Sequence, residues 1–308
     1  MRSLIVLLSA TVALALGCAR KAPPPPKGQA GAEKAAPTAQ APQTPPAEQA
    51  PGSPMTPEDV AQVLARPATL AFVPAPGEVF LAFQQASSSG QKPLEIKVQK
   101  DLPDFKDRAR AALLAGKTVT DFLVAVQNRN AEDAVILTDH LLRLADRLGM
   151  GEIARSSAAG LSDAITKAKD APADKAAEAW DKVREIISKV DGDLRNGLAD
   201  GKADRSTADM VALGAWLEVI AVISAAIQDH PEMSGILRLG AVAAYFAQSL
   251  SGIGGQIGSS PLVPKAVSTV QGLKQVLNIP YKETFTREAL GEMQRIASGF
   301  LAEACAAN

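Results

Sequence analysis

The segment Met210–Ile227, with the sequence MVALGAWLEVIAVISAAI, decides the fold class, because it is apolar around nearly the whole circumference of a helix. A helix without a polar face must be buried on all sides, in a protein core or in a membrane. At roughly 18 residues, the segment reaches only the lower limit of a membrane-spanning helix. Glu218, its only charged residue, lies at mid-length, where a bilayer would penalise it. We therefore predict a central helix that is buried among other helices.

Other helices are predicted on both sides of this segment. Ser234–Leu250 is similarly apolar and is predicted to pack beside Met210–Ile227. In the remaining helices, apolar residues recur at alternating steps of three and four, which predicts an apolar stripe on a polar helix. These amphipathic segments are Phe105–Val126, Ala134–Leu148, Ala154–Ala168, Trp180–Val190, Pro264–Leu277 and Thr286–Ala304. The breaks between them are short, which favours antiparallel neighbours in a bundle.

The composition also favours helices. Hydrophobic residues make up 47% of the chain but aromatic residues only 4%, so the core must be built from Ala, Leu, Val and Ile. We predict an all-α fold, a single helical-bundle-like domain of about eight to ten helices over residues 58–308. The proline-punctuated region 67–103 is less regular, with a helix over Glu78–Ala86 and a strand over Leu94–Val98. The formal net charge of −1 argues against a nucleic-acid partner, which requires a concentrated basic surface.

The first residues have the pattern of an export signal. Met1–Ser3 carries a positive charge, and Leu4–Leu16 is an apolar run of about 13 residues, too short to span a bilayer. The run ends in Leu14-Ala15-Leu16-Gly17-Cys18. This ending resembles the lipobox of bacterial lipoproteins, although that family usually has leucine where Ala15 stands. The alternative is an ordinary secretory signal followed by a coincidental cysteine.

The resemblance implies how this chain is processed and where it is placed. Residues 1–17 would be the signal peptide, removed by signal peptidase II, and Cys18 would carry diacylglycerol that anchors the protein to a membrane. Residues 18–57 would form the lipidated N-terminus and a linker rich in Pro and Ala, which is predicted to be disordered because it can bury little apolar surface. Ala19 after the lipidated cysteine implies sorting to the outer membrane, facing the periplasm or the cell surface. The other cysteine of the two, Cys305, is predicted to be a packing residue of a terminal helix; the alternative is an intermolecular disulfide.

Sequence motifs for catalysis are not convincing. Gly116-Lys117-Thr118 resembles the end of a phosphate-binding loop, but Ala111 stands at the position of the first glycine, and the segment lies in a predicted helix. Gly252–Gly258 is rich in glycine but has the wrong spacing for a dinucleotide loop, and is predicted to be a helix-to-helix connection. His140 is predicted to be exposed on a polar face, and His230 to end a helix before Pro231. We therefore predict no catalytic, cofactor-binding or metal-binding residues, and no enzyme activity.

Three functional hypotheses remain, in decreasing order of support. The first is a non-catalytic envelope lipoprotein that binds another envelope protein or acts as a scaffold. The second is a carrier of an apolar ligand held between Met210–Ile227 and Ser234–Leu250, whose facing surfaces are rich in small apolar residues. The third is an enzyme of unknown type, which would need ionisable side chains from several helices to converge in a cleft.

Overall fold

The structure, a computed structural model, describes residues 73–86, 93–103, 105–197, 205–280 and 283–306, all within one unit, Asp59–Asn308. These ranges contain eleven α-helices and the 3-10 helix Pro231–Leu237, and no strand. The α-helices are α1 (Pro76–Ala86), α2 (Arg108–Gln127), α3 (Ala131–Arg147), α4 (Gly151–Ser157), α5 (Leu161–Lys169), α6 (Ala176–Gly197), α7 (Arg205–Ala226), α8 (Gly240–Ser251), α9 (Gly255–Gly258), α10 (Leu262–Leu277) and α11 (Arg287–Cys305). The predicted all-α class is confirmed. The signal peptide, the lipobox, the linker and the boundary at residue 58 lie outside the described residues.

The centre of the fold is the crossing of α2 and α7, where the two backbones come very close. A Cβ atom on Gly116 would lie 1.8 Å from the carbonyl oxygen of Val211, and one on Gly214 would lie 1.9 Å from that of Leu113. Only glycine, which has no Cβ, allows this approach. Across the same crossing, the Thr120 hydroxyl donates a hydrogen bond to the Ala215 carbonyl oxygen at 3.2 Å. The crossing therefore fixes which side chains of the two helices meet.

Both crossing helices are buried on almost every side. The most apolar stretch of α7 is 94% buried. Among the described helices, α7 is the one whose length and hydropathy would fit a membrane span. The prediction of a central helix is therefore confirmed. The narrow apolar stripe predicted for α2 is wrong, because residues Ala109–Gly116 and Thr118–Val126 are all buried. The cause is that α2 packs against α1, α3, α6, α7 and α11 together.

Three local predictions differ from the structure. Leu94–Val98, predicted as a strand, has no regular secondary structure; the Leu94 carbonyl oxygen instead accepts a hydrogen bond from Asn128 Nδ2 at the end of α2, at 2.6 Å. The segment predicted as one helix over Ala154–Ala168 breaks into α4 and α5 at Gly160, whose φ of 80° is left-handed. The helix predicted from Ser234 begins as the 3-10 helix, and α8 starts only at Gly240.

Candidate functional site

A cavity of about 640 Å³ lies beside the α2–α7 crossing. Its walls come from residues 95–103, from α2, α3 and α7, and from the C-terminal half of α11. The lining is apolar over much of its extent; these apolar side chains include Ile96, Leu102, Leu137, Val222 and Leu301. The cavity is thus assembled from parts of the chain that are about two hundred residues apart, one of which, residues 95–103, belongs to no helix.

Three charged side chains meet at the base of the cavity. Lys117 Nζ on α2 lies 2.5 Å from Asp121 Oδ2, one turn further along the same helix, and 3.5 Å from Glu218 Oε1 on α7. Asp121 and Glu218 are only 4% and 7% exposed, and Lys117 is half-buried. The α2–α7 crossing brings these residues together, because Lys117 follows Gly116 directly and Glu218 lies one turn after Gly214. All three also line the cavity.

The charges of this cluster do not balance when every group is ionised, since one ammonium faces two carboxylates. Burial, followed by repulsion from Glu218, raises the pKa of Asp121 well above its ordinary value, although Lys117 opposes the shift. Burial alone would lower the pKa of Lys117, but attraction to Asp121 and Glu218 outweighs it and holds that pKa above its ordinary value. The arrangement therefore favours a charged Lys117 and a proton held by the carboxyl pair.

One oxygen of the cluster has no donor. Asp121 Oδ1 is buried and accepts no hydrogen bond from the described part of the chain. Glu218 lies close enough to hydrogen-bond to Asp121 when one of the two carboxyls carries a proton. A buried acceptor without a donor costs about 1–3 kcal/mol or more, so this oxygen favours any proton or donor that reaches it.

The residues considered from the sequence are placed as follows. His140, predicted to be exposed, is buried on α3, with Nε2 3.3 Å from the Lys100 carbonyl oxygen, and it lines the cavity. The prediction failed because the segment 93–103 reaches this face of α3, where the Lys100 carbonyl oxygen contacts His140. His230 is exposed before the 3-10 helix, with Nδ1 3.2 Å from Glu232. Cys305, the last residue of α11, is a half-buried free thiol that also lines the cavity.

Comparison with known proteins adds no relative. The chain matches no protein-family model, no curated protein and no solved structure. Among the described residues, no group of three or more His, Cys, Asp and Glu side chains could hold a metal ion. The site is therefore interpreted from its own geometry.

Of the three charged residues, Lys117 and Glu218 stood out in the sequence for other reasons, and Asp121 did not stand out. Lys117 was considered only as part of a phosphate loop, but it lies inside helix α2, where no such loop exists. Glu218 stood out as the single charge in an apolar run, which argues for a specific partner. Asp121 follows Lys117 by four residues, a spacing that places both on one helix face. That spacing was the available signal in the sequence. It predicts a buried ion pair only when α2 is already known to be buried.

Two side chains at the cavity that could act as nucleophiles, Lys117 and Cys305, are not activated. A lysine nucleophile must lose its proton, and a cysteine nucleophile must be a thiolate. The two carboxylates keep Lys117 protonated, and burial raises the pKa of the Cys305 thiol. Neither Lys117 nor Cys305 is therefore activated, and the apolar walls and the charged base can hold a molecule in one orientation.

Proposed function

We propose that this protein binds a small, largely apolar ligand in the cavity beside the α2–α7 crossing, while a lipid on Cys18 holds it at the outer membrane of a bacterium. The observation that carries the proposal is the cavity itself, about 640 Å³ with apolar walls and a buried polar base. Ligand pockets in proteins range from about 300 to 1,000 Å³ and combine apolar walls with a few polar groups.

The charged base supports the same function. Burying charged groups costs free energy that their mutual attraction often fails to repay, so a buried cluster is weak support for stability alone. Perturbed ionisable groups in a cleft are instead typical of functional sites. Lys117, Asp121 and Glu218 combine burial, a shifted Asp121 pKa and a position on the cavity wall.

The proposed site differs from the one expected for an apolar carrier. The sequence suggested a ligand between α7 and the region of α8, but aromatic rings meet there: Trp216 and Phe246 lie 5.3 Å apart, centroid to centroid. The cavity is lined from α7 by Glu218, Ala221, Val222 and Ala225 instead, opposite α2, α3 and α11. Binding between α7 and α8 stays a prediction, and the α2–α7 cavity is the site that we propose.

The expected protein-binding scaffold also stays a prediction. Docking surfaces for proteins commonly show a contiguous exposed apolar patch. In the described ranges, two large apolar side chains are strongly exposed, Leu81 on α1 and Val135 on α3, with exposures of 54% and 52%. Two single residues are ordinary for a protein surface, so the described geometry favours an internal ligand site.

The binding proposal is tested with N-phenyl-1-naphthylamine, a neutral apolar compound whose fluorescence rises in an apolar pocket. The full chain is titrated alongside Ala225→Phe, which fills space at a half-buried position on the cavity wall. The matched control is Ala244→Phe, an exposed alanine of α8 that does not line the cavity. We expect Ala225→Phe to weaken binding by about tenfold or more, corresponding to about 1.4 kcal/mol, and the control to change little. No binding by the unaltered chain, or equal loss in both variants, would contradict the proposal.

The membrane tether is tested separately. Cells that express the chain are fed radiolabelled palmitate, and we expect label on the unaltered protein but not on Cys18→Ser. Label on both proteins, or an intact leader found by mass spectrometry, would contradict the lipoprotein proposal and would leave the cavity proposal unaffected.

A further inference from the structure

We infer that the ligand is an apolar compound with a single positively charged amine, whose ammonium group pairs with Glu218 at the Asp121–Glu218 carboxyl pair. This inference rests on the proposed function and names its ligand class. It is carried by the charges of the cavity base, by the part of Glu218 that stays exposed, and by the charges on the rest of the wall.

The charges on the wall favour a cation. Glu95 and Lys97, on the segment 95–103, are exposed and opposite in sign, so their charges nearly cancel. The base carries Lys117, Asp121 and Glu218, which together bear one surplus negative charge when all are ionised. A monovalent cation brings this base to neutrality, whereas a carboxylate ligand would add a third negative charge to a buried site.

The hydrogen-bonding geometry favours a donor with several protons. Asp121 Oδ2 already receives Lys117 Nζ, and Asp121 Oδ1 is buried away from the cavity, so a ligand's donor meets Glu218, whose side chain keeps 9% of its surface exposed. An ammonium carries three donors and no acceptor, so it can donate to Glu218 and to a neighbouring acceptor together. A hydroxyl has a single proton and can donate only once. Charge-assisted bonds of this kind are roughly twice as strong as neutral ones.

Binding of such a ligand is an exchange of cations. One R–NH₃⁺ enters and one H⁺ leaves the carboxyl pair, so the charge of the base is the same before and after. Below the pH at which the pair loses its proton, affinity should rise about tenfold per pH unit, and above that pH it should level off.

Other ionisable side chains face the cavity. They are His140 on α3, Cys305 on α11, and Glu95 and Lys97 on the segment 95–103, with Arg110 of α2 close enough to affect Cys305. Histidine ordinarily titrates near neutral pH, so its contribution must be separated. The variant His140→Gln serves as that control, because it cannot titrate and remains polar.

The experiment compares three compounds with the same apolar body: octylamine, octan-1-ol and octanoate. Each is titrated into the full chain by calorimetry between pH 5 and pH 9, in two buffers that differ in ionisation enthalpy, so that proton release is measured directly. We expect octylammonium to bind about tenfold or more tightly than octan-1-ol, octanoate to bind most weakly, and up to one proton to leave per ammonium bound. His140→Gln should retain the pH dependence.

The variant Glu218→Gln removes the surplus charge with little change in shape. We expect the preference for octylammonium over octan-1-ol to fall by about tenfold, and proton release to disappear, while octan-1-ol still binds. Equal binding of amine and alcohol without proton release would overturn the charge inference and leave the apolar cavity proposal standing. Absence of binding by all three compounds would contradict both. A circular-dichroism melt of each variant establishes that it is folded.

Discussion

The close crossing of α2 and α7 makes Gly214→Ala the most informative single substitution for the fold. The new Cβ would lie 1.9 Å from the Leu113 carbonyl oxygen and 2.7 Å from its carbonyl carbon. Both are backbone atoms, so no side chain can rotate away. The helices must therefore separate by more than 1 Å to restore an ordinary contact, which loosens packing along two helices that are buried over almost their whole length.

The expected magnitude is the balance of two effects. Overpacking of a core costs about 1–3 kcal/mol and occasionally more, and contact with rigid backbone places this site at the upper end or above it. Alanine regains up to about 1 kcal/mol through its better helix propensity. We expect a net loss of about 3 kcal/mol in the free energy of unfolding, which lowers Tm by roughly 6–12 °C for a domain of this size.

Thermal unfolding followed by circular dichroism measures the effect, with Gly192→Ala as the matched control. Gly192 lies in α6, and a Cβ there would have nothing within 4 Å, so this variant should gain about 0.5–1 kcal/mol. Gly116→Ala should behave like Gly214→Ala, and the double variant should lose less than the sum, because one separation of the helices accommodates both methyl groups. Unchanged stability of Gly214→Ala would refute the close crossing.

Three further predictions concern buried polar groups. Lys117→Met should lower the free energy of unfolding at pH 7 by about 3 kcal/mol, because two buried carboxylates lose their cation, and adding Glu218→Gln should recover much of the loss in urea unfolding. Burial raises the pKa of Asp121 above its value in the unfolded chain, so stability should fall as pH rises through the folded-state pKa. Glu218→Gln should flatten this fall, because it removes the repulsion that helps to raise the Asp121 pKa, and an unchanged pH profile would count against the shared proton. The Tyr245 hydroxyl donates to the buried Asp209 carboxylate at 2.6 Å, so Tyr245→Phe should lower the free energy of unfolding by roughly 1.5–3 kcal/mol. Ultraviolet titration should find the pKa of Tyr245 raised by burial to about 12. A loss of less than about 0.5 kcal/mol in Tyr245→Phe would contradict the importance of this hydrogen bond.

The fold class could be predicted because helical periodicity is local. The apolar run Met210–Ile227 requires burial on all sides, and α7 is buried accordingly. Helix ends were also readable where a capping residue precedes the helix: the Thr286 hydroxyl accepts from Ala289 N at the start of α11. The partner of each helix was not predictable, because an apolar stripe shows that a face is buried and does not show what covers it.

The site was not predictable for the same reason. Its base combines residues about one hundred positions apart, and they meet only because Gly116 and Gly214 let two backbones touch. Neither glycine has a local signal that distinguishes a close approach from a flexible position. His140 shows the same limit, since its helix face looks polar until residues 93–103 are known to cover it.

The central claim, that the cavity beside the α2–α7 crossing holds an apolar ligand, is tested most directly by nuclear Overhauser contacts with bound N-phenyl-1-naphthylamine. We predict contacts from the naphthyl protons to the methyl groups of Val222 and Leu301, which line the cavity. Contacts to Val242 and Leu250 of α8 instead would contradict the claim.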